Sequence, residues 1–309
     1  ADLIWRVVWA RRPRRTLVLA PTFSEYESAL RAAGCVVVHS ALRREAGFTA
    51  GEELLDALTP ELDMAFFCQP NNPTGRVLPP ALLEAALARC AQAGIFAVVD
   101  ECFLDFLDHA AAHSAKRYIA TQFGLLVVKA FTKLHAMAGL RLGYVVLPRP
   151  LIGDLKSAHA ELYRGGHSLI QMALAEFINA GHYSAHIRRM RLLYSRRRAC
   201  LTELIQRYCS PQALSDFSDN AGLHLILNLP DDADDVAIAR QANAHNILVR
   251  PLSRYYLTEE RKKGLLMGFA SLAEAQMEPA FRILLACLQT LCPQVLAEKA
   301  DAEKQNAPT

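Results

Sequence analysis

No apolar run in these 309 residues is long enough to cross a bilayer as a helix. The opening stretch ADLIWRVVWARRPRR carries its positive charges after the apolar part, the reverse of a secretory leader. A dominant charge sign is missing too: 34 Lys+Arg stand against 31 Asp+Glu, a net +3, so nothing global points to nucleic acid or to an anionic membrane surface. A small-molecule partner is the expectation that remains. The eight cysteines, at 35, 68, 90, 102, 200, 209, 287 and 292, form no CxxC pair and no Cys/His spacing of zinc type. No metal site is expected, and reduced thiols in a cytoplasmic protein are. The chain also lacks internal repeats and low-complexity tracts.

What is present is a regular alternation. Short β-branched or aromatic runs at 16–20, 35–40, 64–69, 95–101, 125–131 and 141–147 alternate with Ala/Leu-rich amphipathic segments such as YESALRAAG and PPALLEAALARCAQAG. Pro79 and Pro80 suit a first helical turn, and Gly34 and Gly94 suit helix stops. This pattern predicts βα units around a mainly parallel sheet, an α/β fold. Beyond it, a helical stretch over about 168–209 leads into GLHLILNLP, NILVRPL and GLLMGFASL with DDVAIARQANAHN as a helix, the pattern of a smaller α+β domain. The expected division is a large domain over 1–185, a small C-terminal domain over 186–295 and a flexible tail over 296–309.

Chemistry gathers at the C-terminal ends of three strands, where open α/β sheets bind ligands. QPNNPTG presents Asn72, VVDE ends in Asp100 within an apolar context, and KAFTK ends in Lys133 inside an apolar run with Arg141 eight residues on. A lysine in such a setting either reaches water or loses its proton and becomes a nucleophile able to form a Schiff base. A lysine, a carboxylate and oxygen-directed donors together are the set that pyridoxal phosphate requires. His135 is a candidate proton shuttle or a packed histidine. The run HIRRMRLLYSRRRACL carries six arginines, but Ile187, Met190, Leu193, Tyr194 and Leu201 keep an apolar stripe, so it reads as a solvated helix face.

At these residues the chain resembles the class I/II aminotransferases, pyridoxal-phosphate enzymes of fold type I. The resemblance implies the aspartate-aminotransferase-like large domain, a homodimer and pyridoxal 5'-phosphate as cofactor. By it, Lys133 carries the cofactor and Asp100 faces the pyridinium nitrogen. Asn72 would donate to the phenolate oxygen, Phe23 of APTFSEY stack on the ring, and Thr132 and Arg141 hold the phosphate. Residues 1–147 resemble the threonine-phosphate decarboxylase and histidinol-phosphate aminotransferase branch through APTFSEYESAL, PNNPTG, VVDECFLDF and FTKLHAMAGLRLGY. Residues 148–309 resemble the aminotransferase-like domain of MocR-type regulators. Transamination of an amino acid or phosphorylated amino compound is the expected activity, with decarboxylation of threonine phosphate or ligand sensing without catalysis as alternatives.

Departures from the family pattern are Ala130 for a serine, Phe103 for a tyrosine, and Leu265 or Leu266 where a carboxylate-gripping arginine is expected. Arg250 and Arg254 of ILVRPLSRYY are the candidate substitutes for that arginine. The family's glycine-containing phosphate loop is expected upstream of ADLIW, so the sequence from Ala1 is expected to hold the phosphate weakly.

Overall fold

The computed structural model describes residues 1–162, 168–214, 221–256 and 261–297. Two compact units emerge, the first built mainly on Ala1–Leu192 and the second mainly on residues beyond Leu192.

The first unit holds a six-stranded sheet in the order β2-β1-β3-β4-β5-β6. Its strands are β1 (Arg15–Ala20), β2 (Val36–Ala41), β3 (Met64–Cys68), β4 (Phe96–Asp100), β5 (Leu125–Ala130) and β6 (Gly143–Val146). The first five pair in parallel, and β6 closes the edge antiparallel to β5. β3 and β4 are buried at every position, as central parallel strands covered on both faces must be. On one face α1 (Asp2–Arg11) and α2 (Glu25–Ala32) seat Ile4, Val7, Val8, Tyr26 and Leu30 against Val18, Phe66, Val98 and Val128.

Elsewhere in this unit are α3 (Glu53–Ala57) and α4 (Pro80–Ala93). Pro80 opens α4 and Gly94 stops it at φ 73, as the sequence signals require. Its other helices are α5 (Ile152–Leu162), α6 (Ser168–Asn179) and the start of α7 (His182–Tyr208). The expected single helical stretch is thus two helices, parted at Gly181 with φ 78.

The strand expected at 141–147 begins two residues late. Arg141 closes a short turn at φ 52, a left-handed conformation no strand continues through, so pairing starts at Gly143.

The second unit contains a three-stranded antiparallel sheet in the order β7-β9-β8, made of β7 (His224–Asn228), β8 (Val249–Pro251) and β9 (Gly264–Gly268). The helices α8 (Asp235–Ala244) and α9 (Glu274–Leu291) belong to it. Asp234 caps α8 by accepting from the Val236 and Ala237 amides. Asp235, wholly buried, accepts from the Ser253 amide at 2.9 Å and hydroxyl at 2.7 Å. Of the expected tail, Leu296 bridges to Cys209, and residues from 298 lie outside those described. Among the described residues no helix is long and apolar enough to cross a membrane.

One glycine in the loop after β3 has no room for a side chain. Gly75 sits at φ +71, and a Cβ there would lie 2.8 Å from the Ala221 carbonyl oxygen. Gly75→Ala should therefore lower the urea unfolding free energy by about 1–3 kcal/mol, from left-handed strain plus a backbone clash. A denaturation midpoint equal to the parent's would show that the loop does not adopt this conformation.

Candidate active site

Strand order decides which side chains can meet. Reading across the sheet, the C-terminal ends of β1, β3, β4 and β5 lie side by side, and the chain leaving them presents Phe23, Asn72, Asp100 and Lys133 in that order. Register fixes the centre: Asp100 is paired with Cys68 on one side and Val128 on the other.

Asp100 is 5% exposed and both of its oxygens have partners. The Tyr26 hydroxyl donates to Oδ2 at 2.8 Å and the Cys102 amide donates to Oδ1 at 2.9 Å. Burial, followed by the neighbouring carboxylate, holds the Tyr26 phenol well above its usual pKa, so it stays a donor. Tyr26 is held in turn by stacking on Phe66 at 4.8 Å and by the edge of Phe23 at 5.6 Å. Burial also pushes the Cys68 thiol up to about 12, with Asp100 adding to the effect, and it raises Cys102 in the same way. These thiols are therefore neutral neighbours of the carboxylate, not nucleophiles. A carboxylate accepts up to about four hydrogen bonds, so acceptor capacity remains on Asp100.

The two asparagines of PNNPTG divide the work between fold and site. Asn71 is 6% exposed; it accepts from the Thr22 hydroxyl at 2.8 Å and donates to the Pro21 carbonyl and the Thr74 hydroxyl oxygen, each at 2.9 Å. Gln69 braces the same loop through both backbone groups of Leu78. Asn72 is half-buried, and among the described residues its side-chain amide makes no hydrogen bond.

Two lysines leave β5, and their surroundings differ. Lys129 is 4% exposed, 3.0 Å from Asp105 and 3.8 Å from Glu101. Glu101 also accepts from the Ser114 hydroxyl and the Ala115 amide; its pKa is raised by burial, against the pull of Lys129 and these donors. The Lys129 amine is thereby occupied by two carboxylates. Lys133 is half-buried, pairs with no carboxylate among the described residues, and places its Nζ 5.2 Å from the centre of the Phe103 ring. Thr132 is half-buried beside it. Arg141 is exposed and uses one guanidinium nitrogen on the Ala138 carbonyl at 3.2 Å; among the described residues the rest of its fork makes no hydrogen bond.

The remaining candidates fall elsewhere. Arg250 is exposed on β8 between buried Val249 and Pro251, Arg254 is exposed in the turn after it, and both belong to the second unit. Leu265 and Leu266 are buried in β9. Of the arginine run, Arg188, Arg189 and Arg196 are exposed as a solvated face requires, but Arg191 donates to the Asp105 and Leu107 carbonyls and Arg197 to that of Ala270. Helical periodicity could not foresee these, because long arginines reach backbone beside their own helix.

Sequence reasoning missed Tyr26 and Asn71. A tyrosine three residues after Phe23 on a helix start was the available signal for the first; an asparagine beside another asparagine offers none for the second.

His135 is 2% exposed, and burial draws its pKa down to about 4, with Lys129 and His186 working against Asp105. The unfolded histidine takes up its proton near 6.5 and the folded one only near 4. Stability is thus unaffected above pH 6.5 and lost as pH falls from about 6.5 to about 4, by roughly 3 kcal/mol in all. Denaturation of the parent and of His135→Phe across this range should show that slope in the parent and its absence in the variant. Equal slopes would place His135 in water.

Comparison with known proteins places the chain in a family. A family model described as "Aminotransferase class I and II" matches residues 3–284. The threonine-phosphate decarboxylase of Salmonella typhimurium is 38% identical over 145 residues, 47% of this chain and 39% of that protein. The histidinol-phosphate aminotransferase of Methanococcoides burtonii is 37% identical over 134 residues, 43% of this chain and 34% of that protein. The probable rhizopine catabolism regulatory protein MocR of Rhizobium meliloti is 29% identical over 145 residues, 47% of this chain and 29% of that protein. These matches thus span less than half the length of each curated relative. In fold, the chain superposes on the Thermus thermophilus aspartate aminotransferase with maleate at TM-score 0.80 and 24% identity, covering 92% of this chain and 73% of that one. With the family model spanning most of its length, the chain belongs to the class I and II aminotransferase family.

Proposed function

We propose that the first unit holds pyridoxal 5'-phosphate on Lys133 and that the protein, working as a homodimer, carries out amino-group chemistry on an amino acid or a phosphorylated amino compound. When bound, this cofactor supplies an electron-accepting ring that stabilises negative charge at the substrate carbon bearing the amino group. The residues present fit it. Lys133 offers an amine without a carboxylate partner for the aldehyde carbon, and Asp100 retains acceptor capacity for the ring nitrogen. The uncommitted Asn72 amide suits the phenolate oxygen, the half-buried Phe23 ring suits a face of the cofactor, and Thr132 and the open fork of Arg141 suit the phosphate.

Each residue then has a stated task. The Asp100 carboxylate, fixed by Tyr26 and the Cys102 amide, would favour a proton on the ring nitrogen through its negative charge. The Lys133 amine would take and return the proton at the substrate carbon. What carries the proposal is the contrast between the two lysines at the end of β5: Lys129 is tied to Asp105 and Glu101, and Lys133 is left beside Phe103.

The 38% identity to a threonine-phosphate decarboxylase favours a second reading, in which the bond to the substrate carboxylate breaks. A decarboxylase leaves that carboxylate unclamped, whereas an aminotransferase pins it with a bidentate arginine. Buried Leu265 and Leu266 leave β9 without one. Carbon dioxide release from threonine phosphate with no amino transfer from histidinol phosphate would select the decarboxylase. Amino transfer lost in Arg250→Ala would select transamination with a relocated clamp.

Borohydride reduction of the chain incubated with pyridoxal phosphate, followed by peptide mapping, should mark Lys133 and leave Lys129 unmarked. Modification confined to other lysines would refute the assignment.

A further inference from the structure

The turn that carries Lys133 has one internal hydrogen bond and leans on contacts from outside it. Residues 133–136 close through a hydrogen bond from the Ala136 amide to the Lys133 carbonyl at 3.2 Å, and Ala136 stands at φ 55. An alanine keeps that left-handed conformation only where its surroundings impose it.

The imposed contacts come from α7. Tyr183, His186 and Arg189 recur every three residues along that helix and so share one face. The Arg189 guanidinium, which can only donate, lies 3.2 Å from His186 Nδ1; this makes Nδ1 the acceptor and leaves the ring proton on Nε2. His186 Nε2 then donates to the His135 carbonyl at 2.8 Å. The other contact runs from His135 Nε2 to the Tyr183 hydroxyl at 2.6 Å. Among the described residues, His135 Nδ1 is buried without a hydrogen-bond partner. An unmet lone pair costs less than an unmet N–H, so the ring proton belongs on Nε2, donated to Tyr183. Rings complete the grip: His135 lies against Tyr183 at 5.4 Å and 29°, and Phe131 meets both edge-on, at 5.3 and 6.3 Å.

We propose that Tyr183, His186 and Arg189 form a clamp on His135 that fixes the turn bearing Lys133, which makes them positioning residues for the Lys133 amine. The assignment of a positioning role rests on the reading that Lys133 is the reacting amine; the clamp itself does not. His135 sits two residues beyond Lys133, and its ring and carbonyl are both held, so the Lys133 backbone is pinned from its C-terminal side as β5 pins it from the other. Release of either bond would widen the set of directions the lysine side chain takes, and with them the surroundings its amine meets.

Tyr183→Phe removes one hydroxyl and keeps the ring, and His186→Phe removes the other bond, so each variant tests the clamp if the other fails to fold. In the full chain, amide hydrogen exchange at Ala136 and the rate and pH profile of pyridoxal-phosphate trapping on Lys133 by borohydride are read together, with melting temperature as a control. Exchange at Ala136 should accelerate and trapping on Lys133 should slow, each by about tenfold, with a shifted pH midpoint and a folded protein. Unchanged exchange in both variants overturns the clamp. Faster exchange with trapping and pH midpoint as in the parent overturns the positioning role and leaves a purely structural contact. If the parent traps the reagent only at other lysines, the proposed function fails and the positioning role with it, while exchange at Ala136 still decides the clamp.

Discussion

A carboxylate that is 5% exposed among apolar side chains must be solvated by the protein itself. For Asp100 this is done by a tyrosine hydroxyl and a backbone amide, and much of the first unit is shaped by that need. The amide requires the chain to turn sharply after β4, so that Cys102 folds back onto the residue two before it. The hydroxyl requires α2 to lie across the sheet with Tyr26 facing inward, and Phe66 and Phe23 hold its ring there. Removal of either donor would leave a buried charge short of a partner, a cost of about 1–3 kcal/mol or more.

The residue just past the end of β4 shows the other use of burial. Successive side chains point to opposite faces, so Glu101 meets a different environment from Asp100. It accepts from Ser114, Ala115 and, at longer range, Lys129. Two buried acids thus stand back to back. Glu101 is met by hydroxyl, amide and ammonium groups, whereas Asp100 is met by a tyrosine hydroxyl and a backbone amide and keeps acceptor capacity. The same contrast separates Lys129 from Lys133 one strand away. Charge pairing removes one member of each pair from chemistry and leaves the other.

The fold was legible because its signals are periodic. All six strands of the first sheet lie where β-branched runs stand between helix stops, and the strand-end positions of Asn72, Asp100 and Lys133 come from that alone. What escaped is long-range and polar. Tyr26 pairs with Asp100 across 74 positions, and Tyr183 with His135 across 48, spacings that no periodicity encodes. Arg141 was placed inside a strand because its neighbours are strand formers; its backbone at φ 52 is set by the preceding turn, which the composition does not reveal. The division of roles between Asn71 and Asn72 depends on which amide the Thr22 hydroxyl reaches, a fact of packing and not of sequence.

The central claim is that Asp100 is the charge that would stabilise a protonated nitrogen on a bound pyridine ring. Nitrogen-15 NMR of the chain loaded with ring-labelled pyridoxal phosphate reads that protonation directly, in the parent and in Asp100→Asn, which keeps the shape and removes the charge. A protonated ring nitrogen in the parent that becomes neutral in the variant is the expected result. An unprotonated nitrogen in the parent, or one that the substitution does not change, would contradict it.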